Sequence, residues 1–146
     1  MLIRVLGNGL LLGLLVAVPM EVLGHHAFSS EFDANRPFTV EGVVVKVEWV
    51  NPHAWIHVDV ALEDGTTQSW MMEAGTPNTL LRRGFTRTLL LPGTEVVVRG
   101  YQSKDASCQP KCHGAGRDIT FADGRSLFMG TTGTGAPPDG ADPKER

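Results

Sequence analysis

Five histidines, two cysteines and three tryptophans carry most of the chemistry available to this 146-residue chain, and they cluster. His25 and His26 follow an apolar leader. If that leader is cut after Gly24, the freed α-amine and the His25 imidazole can chelate one metal ion together, and His26 adds a second imidazole. Nitrogen donors of this kind suit Cu(II) best among the divalent first-row ions. A further histidine from the fold completes a three-nitrogen plane resembling the histidine brace of copper oxygenases, and His53 and His57 are the available donors.

The second cluster is Trp49-Val50-Asn51-Pro52-His53-Ala54-Trp55-Ile56-His57-Val58-Asp59. Trp49, Asn51 and Trp55 could wall a ligand pocket around the two histidines. On an extended strand, residues four apart lie about 13 Å apart along the axis. His53 and His57 therefore share one ion only if the chain bends between them. A third group, Trp70-Met71-Met72-Glu73, offers an aromatic wall in Trp70, a soft Cu(I) donor in Met71 and a carboxylate in Glu73. That carboxylate could orient a ligand or act as a base; core filling and a capping or salt-bridging role are the plainer readings. The fourth is Cys108-Gln109-Pro110-Lys111-Cys112-His113. Its outline approaches a c-type haem attachment motif, but that motif has two residues between its cysteines rather than three. No haem-sized helical pocket is offered elsewhere, so a local Cys108–Cys112 disulfide is expected. A soft-metal site is the alternative. Arg82, Arg83 and Arg87 read as a solvated face. Phosphate loops, nucleophile elbows and zinc-protease helices are absent, and no catalytic residue can be assigned.

The elements that position these groups read as β. Val43, Val45, Val47 and Trp49 alternate along a strand over residues 39–49, with Lys46 and Glu48 on its other side and Gly42 as the place for a bulge or bend. Asn51-Pro52 ends it. Ala54, Ile56, Val58, Val60 and Leu62 form the inner face of a second strand, with Trp55, His57, Asp59 and Ala61 outward. Glu63-Asp64-Gly65 signals a hairpin. A third strand, residues 66–73, sets Trp70 and Met72 on one face and Ser69, Met71 and Glu73 on the other. A short helix follows, capped by Thr76, opened by Pro77 and left at Gly84, with Leu80 and Leu81 inward. After the Leu91-Pro92-Gly93-Thr94 turn comes a strand at 95–101. A polar segment at 102–116 precedes short strands at 117–121 and 125–129, joined through Ala122-Asp123-Gly124. Phe28 and Phe32 are candidate anchors for the leading arm, and Asp33 to Pro37 reads as a turn. Three strands, a helix and further strands give an all-β domain with a small helical component. The expected form is an OB-like five-stranded barrel with one short helix between strands 3 and 4. An open sandwich is the alternative.

Composition sets the compartment and the limits. Net charge is −3, which gives no footing for nucleic acid or an anionic membrane surface. Residues 1–24 begin positively at Arg4, continue with an apolar run and end in small residues, the pattern of a secretory signal peptide. The run is shorter than the roughly 20 apolar residues of a spanning helix, so no membrane span is expected after cleavage. The mature chain is then periplasmic or secreted, where disulfides persist. Its barrel domain is expected over 25–130. The tail at 131–146 is too rich in Gly, Thr, Pro and charge to order itself.

Three segments together resemble a family of small secreted bacterial proteins classed as a domain of unknown function. They are His25-His26-Ala27-Phe28 with Glu31-Phe32-Asp33, Val47 to Ile56 through Asn51-Pro52-His53-Ala54-Trp55, and Glu73-Ala74-Gly75-Thr76-Pro77-Asn78 with Leu80 to Phe85. Pro92 to Tyr101 and Asp123 to Phe128 fit as well. The resemblance implies secretion and a double histidine directly after the signal peptide. It implies no activity, and Cys108–Cys112 departs from the usual member. The expectation is a binding module that holds copper through His25, with His26, His53 and His57 as further ligands. A metal-free adaptor for a periplasmic protein or small ligand is the alternative, and a copper redox enzyme a weaker one.

Overall fold

The computed structural model describes residues 28–130; the expected signal peptide, His25, His26 and the expected tail lie outside these residues. A helical turn at residues 28–31 leads into β1 (Phe32–Glu48). Then follow β2 (Trp55–Ala61), β3 (Thr67–Glu73), α1 (Pro77–Arg82), β4 (Glu95–Ser103), β5 (Cys112–Phe121) and β6 (Ser126–Phe128). The sheet order is β3-β2-β1-β4-β5-β6, and β3 also pairs with β5 in parallel, which closes the first five strands into a barrel. With α1 between β3 and β4, this is the expected OB-like architecture. β6 adds a short antiparallel hairpin to β5 outside the ring.

Alternation builds the core. Ile56 and Val58 of β2, Met72 of β3, Val98 of β4 and Ile119 of β5 are fully buried, and Trp70 stacks on Phe38 with ring centroids 4.6 Å apart. Leu62 is exposed rather than inward, because it lies beyond the end of β2. In α1, Thr76 caps Thr79 N–H as expected, and Leu80 enters the core. Leu81 does not: it is exposed on the helix's outer side, because adjacent helical positions diverge by about 100° and one face contacts the barrel. The Pro92-Gly93 turn forms with Gly93 at φ 93°, a left-handed conformation that glycine adopts without strain.

β1 differs most from expectation. It starts at Phe32, so the expected turn at Asp33 to Pro37 is a wide bulge inside the strand, between the pairs Phe32–Ser103 and Pro37–Tyr101. The Asp33 carboxylate still accepts Asn35 N–H there, the local bond that marked a turn. A second bulge falls between Val44 and Lys46. It reverses the alternation: Val40 and Val44 face the core before it, Val47 and Trp49 after it, and Val43 and Val45 are exposed. Gly42 is not the bulge. It is the point where β1 and β2 cross closely, since a Cβ there would lie 2.4 Å from Asp59 O.

The expected polar segment at 102–116 is nearly half strand. Its first residues finish β4 and its last begin β5, leaving a loop at 104–111 closed by the Cys108–Cys112 disulfide.

Candidate functional site

β2, β3 and β5 run side by side, and their outward positions form rows. Trp55 pairs with Glu73 and Glu73 with Ala115; one step along, His57 pairs with Met71 and Met71 with His113. The β1–β2 loop rises at one end of this face, and there Asn51 and Pro52 are exposed and joined by a cis bond. The loop carries His53 back over the sheet, so that its Nδ1 meets the Glu73 carboxylate. Burial raises the pKa of Glu73 and the neighbouring Glu31 charge adds to this, while His53 opposes both. Among the described residues, then, the geometry unites His53 with Glu73, two groups singled out separately in the sequence, and sets Trp55 beside them.

The N-terminal arm is fastened next to this pair. Phe28 and Phe32 pack on Tyr101 and Ala115 as a small second core, Phe28 standing edge-on to Tyr101 at 5.8 Å. Lys104 N–H donates to Glu31 O at 2.8 Å, and the Lys104 ammonium donates to Ser29 O at 2.5 Å. Both expected anchors therefore anchor, and they do so on the strand neighbour of Glu73.

His57 takes another place. It is 4% exposed although it faces outward. Glu48 Oε1 lies 2.9 Å from its Nε2, but off the line a hydrogen bond requires, and neither ring nitrogen has an aligned partner among the described residues. Burial lowers its pKa, and the Lys46 and Lys111 charges lower it further; Glu48 pulls the other way. Lys46 in turn holds the Glu48 carboxyl below its ordinary value. The His57 ring is thus held neutral by the fold, while the unfolded chain takes up its proton near the ordinary value of about 6.5. Stability contributed this way is present above that value and is lost as pH falls through it towards the depressed folded value. Urea midpoints should therefore drop between about pH 7.5 and 5.5, and His57→Gln should flatten that drop. An identical pH slope in the variant would show that His57 does not set it.

Trp70 points into the barrel, on the face of β3 opposite Glu73. Trp49 packs against the core edge, with the Arg87 guanidinium 5.4 Å from its ring centroid. Arg83 lies over the Phe128 ring and donates to Gly130 O, so Arg83 and Arg87 are stacked rather than simply solvated. Cys112 is buried in the core and Cys108 packs against it. His25 and His26 lie outside the described residues. No three His, Cys, Asp or Glu side chains converge as a metal set among the described residues. Sequence reasoning missed Glu31, Glu48 and the outward position of His113. The last follows only from the parallel pairing of β3 with β5.

No curated protein matches the chain. Residues 13–111, more than half of it, match the profile of a family of unknown function, DUF6152, and the chain belongs to that family.

Proposed function

We propose that this chain is a periplasmic or secreted copper-binding module. In this reading the mature N-terminus supplies the His25 amine and imidazole, His26 stands by, and His53 supplies a nitrogen from the barrel. The observation that carries it is the Glu73 carboxylate on Nδ1 of His53. Metal-binding histidines commonly give one ring N–H to a carboxylate, which orients the ring and leaves the other nitrogen's lone pair for the ion. With Nδ1–H held by Glu73, Nε2 of His53 is that nitrogen, on a side chain 35% exposed.

Chain length supports the rest. His25 precedes the anchored Phe28 by three residues, a tether of about 11 Å at most. Phe28 packs in one cluster with Ala115, the strand partner of Glu73, and paired strands lie about 4.8 Å apart. The Cys108–Cys112 disulfide fits an oxidising compartment, as secretion requires.

Mass spectrometry of the exported protein should give His25 as its first residue. Competitive Cu(II) titration should then show His53→Ala weakened by about 10- to 100-fold, the range in which loss of supporting groups already falls. A different first residue, or equal affinity in the variant, removes this reading. The metal-free adaptor reading rests on another place: a groove of about 680 Å³ at the far end of the strands, lined by Val43, Asp59, Ala61 and Phe121 among others. It would stand if copper bound neither protein.

A further inference from the structure

The row beside the His53–Glu73 pair is a separate arrangement. We propose that His57 of β2, Met71 of β3 and His113 of β5 form a site for a soft monovalent metal ion, Cu(I) or Ag(I), with two nitrogen donors and one sulfur. It uses neither His25 nor His53 and is independent of the copper reading above.

The register brings the three together. Met71 lies directly opposite His57 in the antiparallel β2–β3 pair and opposite His113 in the parallel β3–β5 pair. All three point outward, because their chain neighbours Ile56, Val58, Trp70, Met72 and Cys112 are buried in the barrel core. Paired residues on one face carry Cβ atoms about 5 Å apart. Two imidazoles flanking a thioether at this spacing can close on one small ion between them.

The side chains are graded from inside to outside. The His57 side chain is 5% exposed, Met71 is half-buried and His113 is exposed, which leaves an approach from solvent. Among the described residues neither nitrogen of the His57 ring has an aligned partner, and a buried polar atom without a partner carries a standing cost. A metal ion on one of those nitrogens removes that nitrogen's share of the cost.

The donor set selects the ion. Thioether sulfur is a soft ligand suited to Cu(I) rather than to hard or borderline divalent ions. The surrounding charge agrees: Lys46 and Lys111 face His57, and Glu48 balances only one of them. Two nearby ammonium groups penalise a double charge more than a single one. No free cysteine is present to compete for a soft ion while the disulfide is intact.

Titration of the mature, disulfide-intact protein with silver nitrate tests this, since Ag(I) needs no reductant. Met71→Leu keeps the volume and shape of the side chain, and His113→Ala changes an exposed position, so both should fold. Each should weaken Ag(I) binding by about tenfold or more, because loss of a direct ligand costs at least as much as loss of a supporting group. Cu(II) affinity at the N-terminal site should stay unchanged in both. Wild-type Ag(I) affinity in both variants overturns the proposal, whatever the His53→Ala titration shows.

Discussion

Replacing Gly100 by alanine should lower the unfolding free energy by about 3 kcal/mol or more, a large share of the roughly 5–15 kcal/mol that holds a domain of this size. Gly100 lies on β4 where β5 passes closest. A Cβ there would sit 2.1 Å from Ala115 O and 2.9 Å from Cζ of Phe38. The first clash is with backbone, which cannot rotate away, and relieving it means parting β4 from β5 at the bulge between Arg99 and Gly100. Gly75→Ala is the contrast. Its Cβ would meet nothing closer than 3.4 Å, and the residue is not in a left-handed conformation. Urea denaturation of both variants should show a large fall in midpoint for Gly100→Ala and a small one for Gly75→Ala. Similar midpoints would mean that the strands do not cross as tightly as described.

The mature protein with alanine at position 25 should lose Cu(II) affinity by more than about 100-fold, beyond the range attributed to supporting groups. His25 offers two donors at once in the proposed site, the α-amine and the imidazole. Alanine keeps the amine but breaks the chelate ring, so the ion loses both a ligand and the pre-organisation that two donors on one residue supply. His26→Ala should cost less, because its imidazole is not part of that ring. Stability of the barrel should be unaffected by either change, since the anchoring contacts begin at Phe28. Competition against a colour-changing Cu(II) chelator reads the affinities. Equal losses for the two variants would argue against the amine–imidazole chelate.

Much of the barrel was legible because a strand writes its two faces alternately into the sequence. Ile56 and Val58 against Trp55 and His57 is such a case, and Thr76-Pro77 marked the helix start as plainly. The failures have local causes. The bulge after Val44 shifts the face of β1 by one residue, and a run of three valines gives no sign of which one is extra. The start of β5 read as loop because it is glycine-rich. Those glycines make room instead: a Cβ on Gly114 would lie 2.5 Å from Phe38 Cε1, and one on Gly116 would lie 2.3 Å from Met129 Cε. The site was half legible. His53, His57, Met71 and Glu73 could each be picked out by type. That Glu73 holds His53, while Met71 stands between His57 and His113, depends on the β2–β3 and β3–β5 registers, which no local pattern encodes.

In the proposed site one copper ion is shared between the mature N-terminus and His53. Electron paramagnetic resonance of the Cu(II)-loaded protein tests it most directly, because each coordinated nitrogen splits the signal. The wild type should give a multi-nitrogen pattern that loses one nitrogen in His53→Ala, with His25 confirmed as the first residue of both samples. Identical nitrogen patterns in the two proteins would contradict it.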